Sequence, residues 1–353
     1  TYGSGDIIGV AIDTTLSTPK VYFAKNNSWQ GASGNSGTFN ASGGYSLTAG
    51  KEYVFNADHG SNSSSTTGTG FFGAHQGGFN YTPPTGFVAA CAANLPNPSI
   101  KDGRKHFHTG NGSNSHAITG LDFSPDWVMI KARNATGSWA IFDTVRGATK
   151  RLGNSGSGVG ATSESTVTAS LKSFDSNGFT FGNENGNNNG ENYVAWCWNA
   201  GSSTVTNTDG SISAQVRANA ACGFSIVSYT GDGASSATIG HGLGVTPKAF
   251  VVKSRSQDRG WNNFHHIMGN GKYIQWNQNH QAETNSDFWN NTSPTSSVFT
   301  VGTDNDVNDS AQNYIAYVFA EVDGFSKFGE YVGNGSSNGT YVFTGFRPAY
   351  VLE

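Results

Sequence analysis

The sequence has few charged residues, and the charges that it has are nearly balanced. Lys, Arg, Asp and Glu together make up 12% of its 353 residues, and the formal net charge is -4. A chain of this kind has no long-range positive field with which to gather the phosphates of nucleic acid or an anionic membrane surface. The composition therefore argues against nucleic acid as a partner.

Cysteine and long apolar runs are also scarce. Cys91, Cys197 and Cys222 are too few and too scattered for a disulfide framework, and no Cys-x-x-Cys pair indicates zinc. We expect all three to be buried thiols, the common fate of isolated cysteines. No run approaches the roughly 18 apolar residues that a membrane helix requires. We therefore expect no insertion into a membrane.

Glycine, in contrast, is abundant, with 48 residues, and Asn, Ser and Thr crowd the gaps between short apolar runs. Turns are then frequent, and long helices have little room. Runs of four to eight apolar or β-branched residues are bounded by Gly, Asn or Pro, which is the pattern of strands in a sandwich. The longest candidate helix, residues 161–171, is rich in Thr and Ser. The sequence predicts an all-β fold of antiparallel β-sandwiches, jelly-roll or concanavalin-like.

An internal repeat is the main signal in the sequence. Thr109-Gly110-Asn111-Gly112 returns as Thr230-Gly231-Asp232-Gly233 and, less closely, as Val332-Gly333-Asn334-Gly335. The segments that match in the same order after the first two copies of this motif are 125–133 with 247–255, 179–182 with 299–302, and 192–196 with 313–317. So many matches in one order indicate a duplicated unit and the start of a third.

The repeat predicts tandem domains of about a hundred residues, a size at which a domain can close its own core. The expected divisions are residues 1–95, a first copy at 96–203, a hairpin linker at 204–222, a second copy at 223–324 and a truncated third at 325–353. The linker has its turn at Thr208-Asp209-Gly210. Because the sequence stops within a repeat, we expect it to be part of a longer chain.

The first ninety residues have a different pattern. Gly5-Asp6-Ile7-Ile8-Gly9 opens one predicted strand, and a second, from Lys20, leads to Lys25-Asn26-Asn27-Ser28-Trp29. This pair of motifs resembles the SPRY domain, a concanavalin-like sandwich, over residues 3–90. Asn27 replaces the usual glycine of the turn, and Asn also accepts the left-handed conformation. A full SPRY domain has several earlier strands, so the resemblance implies that they precede Thr1 or come from a partner.

The order of the parts resembles the distal region of marine phage tail-fibre or tail-tip proteins. In that family a SPRY-like part is followed by Thr-Gly-Asn-Gly repeats of the kind seen here. The resemblance implies a location on the virion tail or outside the cell and allows a homotrimer in a fibre. It implies no assigned activity for the repeat unit.

Matched basic pairs are the first candidate binding residues. Lys131 and Arg133 recur as Lys253 and Arg255, each pair on one face of a predicted strand. Such side chains can donate to sugar hydroxyls, carboxylates or sulfates. The alternative is a solvated or cross-strand-paired face, which is the commoner fate of charges on strands.

Aromatic and histidine side chains provide further candidates. Trp276 and Trp289 lie in a polar stretch, where exposed indoles could stack on sugar rings. His265 and His280 are nearby in sequence and complete the predicted ligand-binding set. Trp139 and Trp261 occupy matched positions and are expected in the core.

Evidence for cofactors or catalysis is slight. Asp304, Asp306 and Asp309 alternate in one turn, as calcium ligands do, but the turn lacks the Gly and Glu of an EF-hand loop. It is predicted to be either a weak calcium site or an ordinary polar turn, and we expect no other cofactor. We recognise neither paired carboxylates at fixed strand spacing nor a nucleophile with its base, so no catalytic residue is predicted.

Three functions therefore remain open from the sequence. The favoured one is a receptor- or carbohydrate-binding protein that recognises a cell-surface or extracellular glycan. The second is a structural spacer in a fibre, and the third is a polysaccharide lyase or glycoside hydrolase.

Overall fold

The computed structural model describes residues 5–31, 34–48, 79–88, 107–109, 113–137, 139–153, 160–184, 186–337, 339–346 and 348–352. The chain divides into two compact units, Thr1–Leu95 and Pro96–Glu353. The paired strands are antiparallel throughout the described residues, and the two α-helices found there have four residues each. The predicted all-β sandwich fold is confirmed. None of the helices in these ranges has the length and apolar character needed to cross a membrane.

The first unit contains one five-stranded sheet. Its strands are β1 (Ile8–Asp13), β2 (Lys20–Lys25), β3 (Ser28–Gly31), β4 (Gly34–Gly37) and β5 (Tyr45–Ser46), and they pair in the order β1-β2-β3-β4 with β5 also on β2. The β2–β3 turn has Asn26 at φ 49° and Asn27 at φ 67°. Two successive left-handed residues match the twist of a tight hairpin, and Asn tolerates them.

The first repeat copy has two facing sheets. Its strands are β6 (Phe107–Thr109), β7 (His116–Thr119), β8 (Trp127–Ala132), β9 (Ala140–Asp143), β10 (Lys150–Arg151), β11 (Ser165–Thr166), β12 (Leu171–Asp175), β13 (Gly178–Phe181) and β14 (Asn192–Trp198). The main sheet has the order β6-β14-β8-β9, the second has the order β12-β13-β7, and β10 pairs with β11. Apolar residues of both sheets, including Val128, Phe142, Phe179 and Phe181, form the core of this copy.

The second copy is larger. Its elements are β15 (Val205–Asn207), β16 (Ala214–Asn219), a 3-10 helix (Ala220–Cys222), β17 (Phe224–Thr230), β18 (Ala237–Gly240), β19 (Ala249–Ser254), β20 (Trp261–His265), β21 (Lys272–Gln275), β22 (Glu283–Thr284), α1 (Ser286–Trp289), β23 (Val298–Val301), α2 (Asn305–Asn308) and β24 (Asn313–Phe319). The main sheet runs β15-β16-β17-β24-β19-β20-β21-β22, and β18 pairs with β23.

The two copies share one strand order. β6-β14-β8-β9 of the first copy corresponds to β17-β24-β19-β20 of the second, and β7-β13 corresponds to β18-β23. Side-chain hydrogen bonds are repeated as well. Asn187 Nδ2 donates to the carbonyl of Gly182 at 2.7 Å, and Asn308 Nδ2 donates to that of Gly302 at 3.0 Å. The matched segments of the sequence thus occupy matched places in the fold.

The copies are joined through a shared aromatic core. One face of each main sheet lines its own core, and residues of the other faces form a third buried cluster. In that cluster the ring of Trp127 lies 4.7 Å from Tyr317 and 5.6 Å from Phe224. Successive side chains of a strand point to opposite faces of the sheet, and in these strands both faces carry apolar residues. Each main sheet can therefore contribute to its own core on one face and to the shared core on the other. The sequence predicted copies with separate cores, whereas the structure adds a common one.

A buried ionic network also links the copies. Arg146 forms a salt bridge with Asp143, and both side chains are wholly buried. Tyr317 of the second copy donates to Asp143 Oδ2 at 2.7 Å. Glu164 accepts from Arg255 Nε at 2.9 Å and lies 3.3 Å from Arg146 Nη1. Three linked residues of the first copy thus lie between Tyr317 and Arg255 of the second.

Two segments differ from the expected organisation. The hairpin predicted around Thr208-Asp209-Gly210 is present as β15–β16, but it extends the sheet of the second copy, with Ile212, Ala214 and Val216 in that copy's core. Residues 161–171 form no helix. Glu164 N donates to the Arg255 carbonyl at 2.9 Å, and Ser163 N donates to Asp258 at 2.7 Å. These contacts with the second copy hold the segment extended.

The segment expected to begin a third copy has no paired strand among its described residues. In the other copies, the strands that correspond to 325–332 and 348–352 both pair with the last strand of their copy, β14 or β24. Several apolar side chains in the segment are exposed, among them Val332, Tyr341 and Phe343.

Candidate functional site

Polar side chains from several elements of the second copy meet in one place. Asn262 of β20 and Gln275 of β21 are opposite each other in the sheet. Asp306 of α2 has its Oδ2 atom 3.4 Å from both Asn262 Nδ2 and Gln275 Nε2. Arg259, in the loop before β20, places Nη1 3.6 Å from Asp306 Oδ1. These side chains begin a connected network that the sequence alone did not reveal.

The network continues toward β22. His280 Nε2 lies 3.4 Å from Gln275 Oε1, and its Nδ1 atom lies 2.7 Å from the Gln281 carbonyl and 3.9 Å from Glu283 Oε1. Tyr273 donates to Glu283 Oε2 at 2.9 Å. Burial, and then this carboxylate, raise the pKa of Tyr273 to about 12, so the hydroxyl keeps its proton at neutral pH. We refer to Arg259, Asn262, Gln275, His280, Glu283 and Asp306 as the polar cluster.

The side chains of the polar cluster differ in exposure, and Arg259 at its edge is 37% exposed. Asn262 is completely buried, and Gln275 and Asp306 are half-buried. The side chains of His280 and Glu283 are 25% and 51% exposed. A buried amide is costly unless it is hydrogen-bonded, so Asn262 is held in one orientation. The cluster thus combines a fixed base with an end that solvent and ligands can reach.

Two local features place the side chains of the polar cluster. Gly260 leaves room for the Gln275 amide, because a Cβ atom at that position would lie 2.2 Å from Gln275 Nε2. Asp304 caps α2, accepting from the backbone N–H of Asp306 at 2.8 Å. Burial and the neighbouring Asp306 carboxylate raise the pKa of Asp304, opposed by that hydrogen bond.

The first copy serves as an internal comparison for the polar cluster. When Trp139 is aligned with Trp261, Gly137 of the first copy corresponds to Arg259 of the second, and Ala140 corresponds to Asn262. The Ile141–Leu152 bridge corresponds to the Asn263–Ile274 pair, which places Gly153 at Gln275. In the first copy this place is a shallow recess lined in part by Gly137, Ala140 and Tyr193. The fold therefore forms without these polar side chains.

The predicted basic pairs are engaged in structural contacts. Lys131 Nζ donates to the Gly137 carbonyl at 2.6 Å, and the equivalent Lys253 donates to the carbonyls of Ser254 and Gln257 at 2.7 and 3.3 Å. Each lysine thereby holds the loop that follows its strand. Arg255 makes two hydrogen bonds to Glu164, at 2.9 and 3.1 Å. Arg133 is exposed, and its backbone N–H donates to the Asn192 carbonyl at 2.7 Å.

The two candidate tryptophans have different surroundings from those expected. Trp289 is wholly buried, so the prediction of an exposed indole there is wrong. The short helix α1 turns its ring onto Phe250, 4.9 Å away, and its Nε1 donates to the Lys272 carbonyl at 3.0 Å. Trp276 is half-buried and stacks on Trp261, with ring centroids 6.2 Å apart. It packs against the shared core rather than forming an open platform.

The remaining predicted residues divide between the polar cluster and other contacts. His280 belongs to the cluster, whereas the His265 ring contacts His266 and Phe328. In the acidic turn predicted to be either a weak calcium site or an ordinary polar turn, the three carboxylates have separate partners. Asp304 caps a helix, Asp306 is in the cluster and Asp309 accepts from Gln257 Nε2. In the described ranges no three His, Cys, Asp or Glu side chains are grouped to hold a metal ion.

Cys197 and Cys222 are partly buried, and burial raises the pKa of the Cys197 thiol. Cys91 lies outside the described residues. Sequence reasoning missed Arg259, Asn262, Gln275 and Glu283 because no motif marks them. A comparison of the two copies at matched positions would have found the first three, since each replaces Gly or Ala.

The fold and the site define a class of protein: an all-β protein with two sandwich repeats that share a core, of which the second carries a polar cluster that the first lacks. Residues 102–353, well over half of the chain, match a family described as Domain of unknown function (DUF7483). The chain belongs to this family. Comparison with curated proteins and with solved structures gave no match.

Proposed function

We propose that this protein is a carbohydrate-binding protein and that the polar cluster of the second copy is its saccharide site. The observation that carries the proposal is the difference between the copies. The first copy folds with Gly137, Ala140 and Gly153 where the second has Arg259, Asn262 and Gln275. Buried polar groups reduce stability unless each is paired, so a network that the fold does not need is best explained by a ligand.

The chemistry of the polar cluster suits a saccharide. Sugar hydroxyls both donate and accept, and the cluster offers amide, carboxylate, guanidinium and imidazole groups held by one another. Groups fixed before binding lose little conformational entropy when a ligand arrives. The ring of Tyr273 lies beside the cluster, 6.1 Å from that of His280, and supplies an apolar edge for the C–H groups of a sugar.

The resemblance to phage tail-fibre proteins supports a cell-surface or extracellular polysaccharide as the target. On that basis the protein acts at the virion tail or outside the cell, as a receptor-binding component. The two copies share a buried apolar core, which holds them together as one unit. This arrangement also suits the alternative role of a spacer in a fibre.

The test is an array of immobilised glycans probed with the intact chain, followed by titration calorimetry of the best ligand. Asn262→Ala is the informative variant because Ala140 occupies this position in the first copy. The matched control is Glu191→Gln, which removes a charge beside the recess of the first copy. We expect at least a tenfold loss of affinity for Asn262→Ala and none for the control.

Two results would reject the proposal. If the intact chain binds no glycan, the spacer role is favoured. If Asn262→Ala binds as tightly as the wild type, the site lies elsewhere. Release of reducing ends or unsaturated sugars from the ligand would instead identify an enzyme.

A further inference from the structure

The orientation of one amide decides which atoms of the polar cluster face a ligand. Gln275 Nε2 donates to Asn262 Oδ1 at 2.7 Å and lies 3.4 Å from Asp306 Oδ2. Asn262 is wholly buried, and Asp306 is the half-buried neighbour beside it. The carbonyl atom, Gln275 Oε1, is therefore directed toward His280 and the exposed end.

The buried Asn262 sets the orientation of the Gln275 amide. Its Nδ2 atom donates to the Gly260 carbonyl at 3.2 Å and lies 3.4 Å from Asp306 Oδ2. Turning the Asn262 amide over would place its oxygen against these two acceptors, so the oxygen must face Gln275. A wholly buried side chain thus fixes the polarity of a half-exposed one.

The charges around the polar cluster also favour a ligand that donates hydrogen bonds. Glu283, Asp304 and Asp306 are carboxylates, and the cation among them, Arg259, is 37% exposed but is held by Asp306 and by Gln257 Oε1, to which its Nε donates at 3.0 Å. The buried Lys253 is also near Asp306, but its ammonium is used by two backbone carbonyls. Lys272 is exposed on β21, one residue before Tyr273, and therefore on the opposite face of the strand. A ligand at the exposed end consequently meets mainly acceptors and negative charge.

We infer, on the basis of the proposed function, that the site selects saccharides that donate hydrogen bonds, neutral or amino sugars, against uronate and sulfated ones. Asn262 is the positioning residue that enforces this choice. An anionic ligand would set its oxygens against Gln275 Oε1 and the carboxylates, and such unpaired acceptors and like charges are how binding sites reject a competitor.

The test uses pairs of oligosaccharides that share a backbone and differ in charge. The probes are methyl-esterified and free-acid oligogalacturonates, desulfated and native κ-carrageenan oligosaccharides, and chitosan oligosaccharides before and after N-sulfation. Affinities for the intact wild-type chain and for Asn262→Ala are measured by calorimetry. Circular dichroism of the variant verifies that it is folded, as Ala140 leads us to expect.

We expect the uncharged or amino member of a bound pair to bind at least tenfold more tightly than the anionic member. In Asn262→Ala the Gln275 amide is free to turn its NH2 outward, so this ratio should fall to about threefold or less. Asp306→Asn, a second variant, should lower the ratio without abolishing binding of the neutral member.

The outcomes separate the two proposals. Binding that is lost in Asn262→Ala but favours the anionic member leaves the saccharide site in place and overturns the selection. An equal loss for both members of a pair, with the ratio unchanged, overturns the positioning role of Asn262. Failure of the wild type to bind any probe or any glycan on the array overturns the proposed function itself.

Discussion

The network between the repeat copies predicts a large loss of stability when Arg146 is replaced. Its guanidinium is wholly buried and donates to Asp143, Glu164 and the carbonyls of Lys150 and Ile141. In Arg146→Met the Asp143 carboxylate stays buried with only the Tyr317 hydroxyl and one backbone N–H as donors. Removing one partner of a buried ion pair typically costs about 3–5 kcal/mol in the free energy of unfolding.

The control removes both charges. Methionine is the residue at the matched position of the second copy, Met268, so the shape is one that this fold accepts. Asp143→Asn/Arg146→Met leaves no buried charge uncompensated and should recover about 1–2 kcal/mol relative to the single variant. Guanidinium unfolding followed by tryptophan fluorescence measures both, since Trp127 lies at the junction. A cost below about 1 kcal/mol for Arg146→Met, or a double variant no more stable than the single, would refute the reasoning.

Three further predictions concern buried groups. Burial lowers the pKa of Lys253 to about 8 from its usual 10.5, so the unfolded chain holds more protons between these values. The contribution of Lys253 to the free energy of unfolding should therefore rise from pH 8 to 10.5. The free energy of unfolding of the wild type minus that of Lys253→Met should show this rise in a pH series of denaturant titrations, and a difference that stays constant would contradict it. Trp289→Ala should cost about 3–5 kcal/mol in thermal or denaturant unfolding while the folded fraction keeps its saccharide affinity; a loss of affinity without a loss of stability would contradict this. Burial raises the pKa of the Cys197 thiol, so it should resist Ellman's reagent at neutral pH until the protein is unfolded, and rapid labelling of the native chain at this residue would count against the packing.

The fold class was predictable because strand and turn signals in this sequence are local. Glycine, Asn and Pro bound the apolar runs, and the repeat shows the same runs twice, which is how β8 and β19 could be recognised. The β15–β16 hairpin followed from its turn residues in the same way. The sheet to which it belongs did not, because strand partners are decided by packing over long sequence distances.

The shared core was not predictable from the pattern of a single strand. Alternation along β8 separates two faces, but it cannot say that the face with Trp127 and Met129 is covered by another copy. The same limit explains the wrong prediction for Trp289, whose polar neighbours in sequence concealed the turn of α1 that buries it. Residues 161–171 were open to interpretation as a helix because their partners, Arg255 and Asp258, are more than ninety positions away.

The candidate site was only partly foreseen. His280 was among the predicted binding residues, but Lys131, Lys253 and Arg255 are used for loops and for the junction of the copies. Amides such as Asn262 carry no signal of their own in a sequence this rich in Asn, and their role emerges only when β20, β21 and α2 are brought together.

The most direct test of the saccharide site is a crystal structure of the intact chain with the best ligand from the glycan array. The account predicts a sugar at the polar cluster, with hydroxyl or amino groups donating to Gln275 Oε1 and the Asp306 carboxylate and with Asn262 unmoved beneath them. A sugar bound elsewhere, with the polar cluster untouched, would contradict it.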